Sequence, residues 1–341
     1  MNRGRVGYNF APNRMIPWNE HMRAHAVAQP NIALVKYWGK RDTGNNLPAA
    51  GSLSLTLDSL WTKMSVELSD GSELDTLSVN GAPNPAMLGR VSACLDRLLG
   101  ASRPKATVES ESNFPIAAGL ASSSSAFAAL VMATAKAADL GGDTLSLARL
   151  AGASSGSAAR SFYEGIVELT AGDFEIDVRC LAGSREWPLR IVIAVTEPGP
   201  KPTSSGEAMI RSAATSLFYR TWLERQDADL DAARKAVFAR DFDRLADVAE
   251  QNCLKMHSVM WACRPPVVYW NGATLNAMET VRALRRAGAP VFFTIDAGPQ
   301  VKAVCLPAAF DEVVAALGAT AGVKQVIVSG LGSGARLQDQ D

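Results

Sequence analysis

A glycine and four consecutive serines mark a place where this chain could hold phosphate. The stretch SNFPIAAGLASSSSAFAAL, residues 112–130, places Gly119 and Ser122–Ser125 before an Ala- and Leu-rich run. A glycine-rich loop that leads into a helix presents free backbone N–H groups beside the positive end of the helix dipole. Serine hydroxyls there could bind phosphate oxygens or a magnesium-bound water, and Gly119 would allow a close approach that a Cβ would block. The alternative is a small-residue helix packed on a sheet, with the serines as cap and filler.

The segment PNIALVKYWGKRD, residues 30–42, concentrates positive charge around aromatic residues. Lys36 and Lys40 at this density can bind a polyanion, while Tyr37 and Trp38 would fix their direction. For this segment alone, a solvated edge strand with alternating charge is the alternative.

The segment SSGSAARSF, residues 154–162, is a further candidate anion-binding segment near a helix start. Ser155, Gly156 and Ser157 precede Arg160 by about one helical turn. The planar fork of arginine suits a carboxylate or phosphate that accepts two hydrogen bonds. Taken alone, the pattern also fits a capped helix with a surface arginine.

A carboxylate closes an apolar run at FFTIDAGPQ, residues 292–300. Asp296 stands at the end of a predicted strand, backed by apolar residues, which is a typical place for a general base. A turn-forming aspartate is the alternative.

Length and charge limit the classes of protein that this chain can belong to. At 341 residues the chain exceeds what one hydrophobic core usually supports, so two lobes are expected. Lysine plus arginine and aspartate plus glutamate both number 34, which gives no bulk attraction to nucleic acid or to an anionic membrane. We therefore expect neither as a partner, although local basic clusters could still bind a small anion.

The cysteines and histidines indicate a protein without a structural zinc. Five scattered cysteines include no CxxC, and the three histidines have no metal-ligand spacing. A reduced, cytoplasmic protein is the expectation. Residues 1–22 carry two prolines and no long apolar run, so we interpret them as an extension, neither a signal peptide nor a membrane anchor.

The elements that must position these segments alternate in the first half of the chain. Period-two patterns closed by Asp-Gly or Asn-Gly turns predict strands, and apolar residues at helical spacing predict helices. The predicted strands are 53–68, 76–81, 105–112, 164–169, 175–179 and 190–197. The predicted helices are 85–99, 119–140 and 144–154, of which the second should be buried on most sides.

The sequence pattern changes after a segment rich in Pro, Gly and Ser, EPGPKPTSSGE, residues 197–207. Residues 207–288 look helical throughout, and strands 290–296, 301–306 and 323–329 follow, with a helix at 307–317. We place the domain boundary close to residue 200 and predict an α+β fold of two lobes with a cleft between them. Neither GxGxxG nor GxxxxGK(S/T) occurs, so the Rossmann and P-loop patterns are excluded.

In this order the segments resemble the GHMP kinase superfamily, and most closely the mevalonate diphosphate decarboxylases. The similar stretches include NIALVKYWGKRD, NFPIAAGLASSSSAFAAL, GSAARSF, KPTSSGEAMIRSAATS, MHSVMWACRPPVVYW and TIDAGPQVKAV, and they span roughly residues 24–335. The lysine–tryptophan segment together with the glycine–serine loop distinguishes this family from other superfamily kinases.

The resemblance implies a two-lobed GHMP kinase fold with the active site in the cleft. Its lobes would be a ribosomal protein S5 domain 2-like lobe over 23–200 and a ferredoxin-like lobe over 201–341, after the extension 1–22. It also implies a homodimer and the ATP-dependent decarboxylation of mevalonate 5-diphosphate to isopentenyl diphosphate. In that reaction, phosphorylation of the 3-hydroxyl precedes loss of phosphate and CO2, with ATP and Mg²⁺ required.

The resemblance also implies roles for particular residues. The catalytic residues would be Asp296 beside the 3-hydroxyl, Arg160 on the substrate carboxylate, and Lys36. The substrate-binding residues would be Tyr37, Lys40, Ser155, Gly156, Ser157, Arg160 and Met209. The ATP-binding residues would be Gly119, Leu120, Ala121, Ser122, Ser123, Ser124 and Ser205, with Ser124 contacting ATP-bound magnesium.

Departures from the family pattern concern the substrate's phosphate end. Ala50 and Gly51 stand where polar residues are usual, Ala208 replaces a glycine, and Gly206 stands where some relatives use an arginine. A decarboxylase of mevalonate 5-phosphate is therefore the first alternative. A small-molecule kinase that stops at phosphorylation is the second, and a non-catalytic binding protein is the third.

Overall fold

The computed structural model describes residues 22–115 and 119–338, which form alternating blocks of strands and helices. In these residues the strands are β1 (Met22–Ala28), β2 (Asn31–Val35), β3 (Lys40–Asp42), β4 (Leu47–Pro48), β5 (Ser52–Thr56), β6 (Thr62–Ser69), β7 (Thr76–Val79), β8 (Ala82–Pro83), β9 (Lys105–Ser112), β10 (Ile166–Ala171), β11 (Ile176–Ala182), β12 (Arg190–Val195), β13 (Val291–Thr294), β14 (Val301–Cys305), β15 (Gln325–Ser329) and β16 (Arg336–Gln338). The helices are α1 (Pro85–Leu99), α2 (Ser122–Ala137), α3 (Thr144–Ser154), α4 (Ser205–Thr215), α5 (Tyr219–Ala239), α6 (Phe242–Trp261), α7 (Gly272–Arg286) and α8 (Phe310–Gly318), and short 3-10 helices lie at Ala158–Phe162 and Pro307–Ala309.

The first sheet carries the helices of the N-terminal half. Among the described residues it has the order β16-β1-β6-β9-β7-β8, antiparallel except for the parallel pair β7 and β9. Helix α2 packs on β1 and β6, and its side chains are buried almost all round, as its small apolar composition predicts. One core therefore joins the first sheet to α1, α2 and α3.

Two further sheets face each other and enclose a second core. Their orders in the described part of the chain are β11-β10-β5-β2 and β13-β14-β12-β15, and the pairs within them are antiparallel. Helices α5 and α6 complete this core, while α7 and α8 cover the opposite face of the last sheet. Segregated helices on mostly antiparallel sheets confirm the predicted α+β class.

The boundaries of several helices follow directly from their end residues. Helix α1 starts as predicted, because Asn84 accepts a hydrogen bond from the backbone of Met87 and Pro85 fixes the first turn. Helix α7 starts at a capping box formed by Asn271 and Thr274.

Helix α2 is shorter than the predicted 119–140. Gly119 and Ala121 have φ of +84° and +55°, a left-handed conformation that cannot belong to an α-helix, so the helix begins at Ser122. The serine run is thus the first turn of the helix and not a loop before it.

The predicted continuous helical region 207–288 is also wrong in detail. It is divided into α4, α5, α6 and α7, with a non-helical connection from 262 to 271.

Strand pairing crosses the predicted boundary at residue 200. Strand β12 lies before this boundary yet pairs with β14 and β15, and β16 lies near the C-terminus yet pairs with β1. The division into 23–200 and 201–341 stays a prediction, and the pairing of β12 favours a division before Arg190.

Of the predicted extension 1–22, residues 1–21 lie outside the described residues, and Met22 begins β1. Among the described residues, no helix combines the length and apolar character needed to cross a membrane.

Candidate active site

Asp296 follows β13 and is held by a lysine from β2's end. Nζ of Lys36 lies 2.8 Å from Oδ1 of Asp296, and it also donates to the backbone oxygen of Ala33 and to Thr294 Oγ1, at 2.6 Å each. The backbone N–H of Ala33 donates to the same Oδ1 at 3.3 Å. The lysine–tryptophan segment and the segment around Asp296 therefore meet here, and two donors of the former hold the carboxylate.

The second carboxylate oxygen of Asp296 faces another lysine. Oδ2 is buried, accepts no hydrogen bond from the described residues, and lies 3.5 Å from Nζ of Lys302. Burial alone would raise the pKa of Asp296, but the charges of Lys36 and Lys302 outweigh burial and hold this pKa far below its usual range. Asp296 is therefore an anion throughout the physiological pH range.

Arg160 is a buried cation whose hydrogen-bond partners in the described residues are all neutral. Its Nε and Nη2 donate to Asn31 Oδ1 at 3.2 and 3.1 Å, and its Nη1 donates to Ser52 Oγ at 2.7 Å. Burial lowers the pKa of Arg160 to about 10, although the charge of Asp296 acts in the opposite direction. Since a buried charge without a counterion is costly, and since guanidinium donors are left over, the arrangement suits an anionic ligand.

Tyr37 lies against Gly156, so the two predicted substrate-binding segments are in contact. A Cβ on Gly156 would lie 2.3 Å from the hydroxyl oxygen of Tyr37, which explains the glycine. This hydroxyl is buried without a hydrogen-bond partner in the described residues, and burial raises the pKa of Tyr37 to about 12. The group is thus a protonated donor.

Lys40 shares its surroundings with Arg90 of α1. Burial lowers the pKa of Lys40 and the charge of Arg90 lowers it further, while the Arg90 guanidinium stacks 4.9 Å from the ring centroid of Phe127. With Ser155 and Ser157, these cations line one end of a cavity. We call Tyr37, Lys40, Arg90, Ser155 and Ser157 the basic end of the cavity.

The start of α2 brings the positive end of its helix dipole to the same cavity. Gly119, Ala121, Ser122 and Ser123 line the cavity, and Ala121 provides no side-chain cap for the helix. A Cβ on Gly119 would lie 3.1 Å from Cα of Gly298, so the glycine permits a tight contact with the Asp296 segment.

Two residues predicted for the nucleotide loop are turned away from the cavity. Ser124 is fully buried, its hydroxyl donates to the backbone oxygen of Ala121 at 2.7 Å and faces the backbone N–H of Asn31 at 3.4 Å. Leu120 packs in the core between the second and third sheets. This geometry argues against the predicted magnesium contact of Ser124, because the first helical turn directs that side chain inward.

The start of α4 brings a further cation to the cavity. Ser205 and Met209 line it, and Nζ of Lys201 donates to Ser205 Oγ at 2.8 Å. Burial lowers the pKa of Lys201 to about 8, with an additional contribution from the charge of Lys302. This lysine is therefore poised to change its proton occupancy when an anion binds.

The cavity that these residues line has a volume of about 730 Å³. Among its described lining residues, the charged side chains are five cations and one carboxylate: Lys36, Lys40, Arg90, Arg160, Lys201 and Asp296. One wall is apolar and is formed by Met64, Leu77, Val79, Met87, Val91 and Leu130. The cavity can thus hold polyanionic ligands beside a flat apolar group.

The described residues do not form a cage for a resident metal ion. No group of three or more histidine, cysteine, aspartate or glutamate side chains with metal-binding geometry occurs among them. Mg²⁺ usually binds through substrate phosphates, waters and one or two carboxylates, so serine hydroxyls and an incoming polyphosphate fit it here.

Sequence reasoning missed Lys201, Lys302, Arg90 and Asn31. Lys201 and Lys302 lie within stretches that resemble the family, and Asn31 begins the lysine–tryptophan segment. Their residue types were visible, but only contacts between distant segments reveal that Asn31, Arg90 and Lys201 line one cavity and that Lys302 lies beside Asp296.

Comparisons with known proteins agree along almost the whole described chain. A model of the diphosphomevalonate decarboxylase-like N-terminal domain matches residues 28–182, and a model of the mevalonate 5-diphosphate decarboxylase C-terminal domain matches residues 191–335. The diphosphomevalonate decarboxylase of Candida albicans is 36% identical over 81% of this chain and 82% of its own length.

Solved structures show the same likeness. Mevalonate diphosphate decarboxylase from Staphylococcus aureus is 33% identical with a TM-score of 0.88 and covers 94% of this chain and 99% of its own. MDDEF in complex with MVAPP, AMPPCP and magnesium is 34% identical with a TM-score of 0.88 and covers 94% of this chain and 100% of its own. These matches confirm the predicted two-lobed GHMP kinase fold, and this chain belongs to the diphosphomevalonate decarboxylase family.

Proposed function

We propose that this protein catalyses the ATP-dependent decarboxylation of mevalonate 5-diphosphate to isopentenyl diphosphate, within the mevalonate pathway of isoprenoid biosynthesis. The observation that carries the proposal is the buried Arg160. Its hydrogen-bond partners are neutral, so its charge is available to pair with an anionic ligand beside Asp296. Phosphorylation alone would not require a buried arginine for a carboxylate. The solved relative MDDEF binds MVAPP, AMPPCP and magnesium together.

The apolar wall and the start of α2 are the proposed ATP site. The base would pack against Met87, Val91 and their neighbours, and the phosphates would meet Ser122, Ser123 and the positive end of the α2 dipole. Lys201 and Ser205 would neutralise and orient the transferred phosphate. Mg²⁺, held by the ATP phosphates and hydroxyls, would supply further charge neutralisation.

Asp296 would accept a hydrogen bond from the 3-hydroxyl of the substrate. Its low pKa makes it a weak base, which favours orientation of the hydroxyl over early proton removal. This role is sufficient because a loose phosphoryl-transfer transition state depends mainly on positioning and on charge neutralisation.

The second step would break two bonds of the phosphorylated intermediate. The C3–O bond breaks and its electron pair leaves with the phosphate, so positive charge develops at C3 near the anionic Asp296. The electron pair of the bond between C2 and the carboxyl carbon then forms the C2–C3 double bond, and CO2 departs. Arg160 would hold the carboxylate in line for this cleavage through its bidentate fork.

The basic end of the cavity would bind the substrate diphosphate. Lys40, Arg90 and the Tyr37 hydroxyl provide two charges and one donor there. Arg90 offers a further cation to the cavity that Gly206, where some relatives carry an arginine, also lines. This compensation favours the diphosphate over mevalonate 5-phosphate, the alternative substrate.

One experiment separates the candidate reactions. The protein is incubated with MgATP and carboxyl-labelled mevalonate 5-diphosphate or 5-phosphate, and ADP and labelled CO2 are measured. We expect equal amounts of ADP and CO2, with kcat/KM larger for the diphosphate. ADP without CO2 would identify a kinase, a preference for the monophosphate would identify the alternative decarboxylase, and neither product would indicate a binding protein.

We also propose that the protein works as a homodimer in the cytoplasm. The dimer rests on the family resemblance. The compartment is supported by the five cysteines, which are all free thiols in the structure.

A further inference from the structure

Lys302 is a buried lysine that has no role in the proposed reaction as described above. It lies on β14, its side chain has no exposed surface, and it points from the third sheet toward the second core. Burying an ammonium group is costly unless it is paired and hydrogen-bonded. Its partners in the described residues therefore indicate what this charge does.

These partners belong to two different halves of the site. Nζ of Lys302 donates to the backbone oxygen of Gly119 at 3.0 Å and lies 3.5 Å from Oδ2 of Asp296. Gly119 leads into α2, and Asp296 follows β13. One ammonium group thus connects the nucleotide loop to the carboxylate that faces the reacting hydroxyl.

The two loops also touch through their backbones. The Gly119 Cα lies so close to Gly298 that a Cβ on Gly119 would be 3.1 Å from the Gly298 Cα and 3.7 Å from the Ala297 oxygen. The hydrogen bond from Lys302 to the Gly119 oxygen stabilises this contact on its buried side. Displacing the loop would therefore also disturb the carboxylate.

Charge balance argues against a purely structural ion pair. Oδ1 of Asp296 already receives Lys36 at 2.8 Å, so Lys302 adds a second cation to one carboxylate. A buried ion pair is weak evidence for stability, because an apolar residue of similar size often serves equally well. The charge of Lys302 has a clearer use in holding Oδ2 toward the interior. The exposed fifth of the Asp296 side chain then comes from its other atoms.

We propose that Lys302 is a positioning residue that aligns Asp296 and the Gly119 loop with each other, and so sets the distance between the substrate hydroxyl and the ATP γ-phosphate. The inference rests on the proposed function. Lys302 itself need not touch either substrate. Its removal should slow phosphoryl transfer more than it weakens binding of mevalonate 5-diphosphate.

The test compares Lys302→Met with Val304→Ala in the intact protein. Val304 lies two residues along the same strand, faces the second core and is not among the described residues that line the cavity. We expect Lys302→Met to lower kcat by about 100-fold, the cost typical of a misplacement by roughly 1 Å, with KM for mevalonate 5-diphosphate within about threefold of wild type. The KM for ATP should rise, and Val304→Ala should lower only the melting temperature.

A double-mutant cycle with Asp296→Asn separates positioning from general damage. If Lys302 acts through Asp296, Lys302→Met in the Asp296→Asn background should slow single-turnover phosphorylation by less than about threefold. An equal loss in both backgrounds, or unchanged kinetics in the single variant, would overturn the inference. Wild-type protein that releases no CO2 would instead overturn the proposed function.

Lys302→Gln keeps the test decisive if the methionine variant does not fold. The amide can still donate to the Gly119 oxygen but carries no charge. We expect it to recover the KM for ATP and to leave kcat low. Full recovery of kcat would show that the charge beside Asp296 is not needed.

Discussion

Asp296 retains its negative charge because each of its two carboxylate oxygens faces an ammonium group. Lys36 binds Oδ1 and Lys302 faces Oδ2, and together they outweigh the effect of burial on the Asp296 pKa. The carboxylate is therefore placed as a hydrogen-bond acceptor and as a fixed negative charge. At the scale of single residues, the proposed reaction depends first on this anion.

Replacing Asp296 by Asn should abolish turnover and spare nucleotide binding. The amide has nearly the same shape but removes the charge, and we expect kcat to fall by about 10³-fold, within the range found for positioned acid–base groups. The measurement is CO2 release under saturating substrates, with binding of a fluorescent ATP analogue as the control. Activity within tenfold of wild type would show that Asp296 is not the acceptor.

Lys201 should take up a proton when MgATP binds. Because burial lowers its pKa to about 8, it is half protonated at pH 8 in the free protein, and phosphate charge would raise this pKa. We expect uptake of about half a proton at pH 8, measured by calorimetry in buffers of different ionisation enthalpy.

The uptake should vanish in Lys201→Met and persist in Lys324→Met. Lys324 is half exposed and pairs with Glu197, so it serves as the matched lysine outside the cavity. The same uptake in both variants would assign the proton to another group.

At the scale of elements, the site depends on where helices begin and on how closely loops approach. Helix α2 begins at Ser122, because left-handed residues precede it, and this start places two serines toward the cavity and Ser124 toward the core. A shift of the helix start by one residue would rotate each side chain by about 100° and so change which serines face the cavity.

Gly156→Ala should weaken binding of mevalonate 5-diphosphate specifically. The new Cβ would lie 2.3 Å from the Tyr37 hydroxyl oxygen, so the tyrosine must move. We expect its KM to rise about tenfold, equivalent to roughly 1.4 kcal/mol, with the KM for ATP changed less than twofold.

Gly89→Ala is the matched control for this substitution. Gly89 lies inside α1 with no atom within 4 Å of its new Cβ, so the alanine should leave both KM values unchanged and stabilise the helix by about 1 kcal/mol. A rise in the KM for ATP as large as that for mevalonate 5-diphosphate in Gly156→Ala would contradict a specific role for Tyr37.

At the scale of the whole molecule, the cavity joins residues from both ends of the chain. The N-terminal segments supply Lys36 and the basic end, while Asp296 and Lys201 come from the segments around β13 and α4. A ligand that contacts residues from both sets of segments should therefore stabilise the two parts of the folded protein together.

Mevalonate 5-diphosphate and magnesium-bound AMPPCP should raise the melting temperature together more than either does alone. A ligand at 100 times its Kd contributes about 2.7 kcal/mol to the free energy of unfolding. The measurement is a thermal melt with each ligand and with both. An unchanged melting temperature with both ligands would contradict a shared cavity.

Much of the fold and site could be predicted because it depends on local patterns. The bounds of α1, α3 and β9 agree with the prediction, since apolar periodicity and capping residues act within a few positions. The approach of Lys36 to Asp296 could be expected only through the family resemblance. Nothing in either segment alone distinguishes an ion pair of the site from an edge strand or a turn.

By itself, the sequence determined the fold class, the balanced total charge, and the segments that carry cations, serines and a carboxylate. Only the tertiary structure decided that β12 joins the C-terminal sheet, that Ser124 turns inward, and that Lys302 links Gly119 to Asp296. These outcomes depend on contacts between residues more than a hundred positions apart or on the exact turn at which a helix starts. Burial and charge pairing, which set the pKa values of this site, exist only after those contacts have formed.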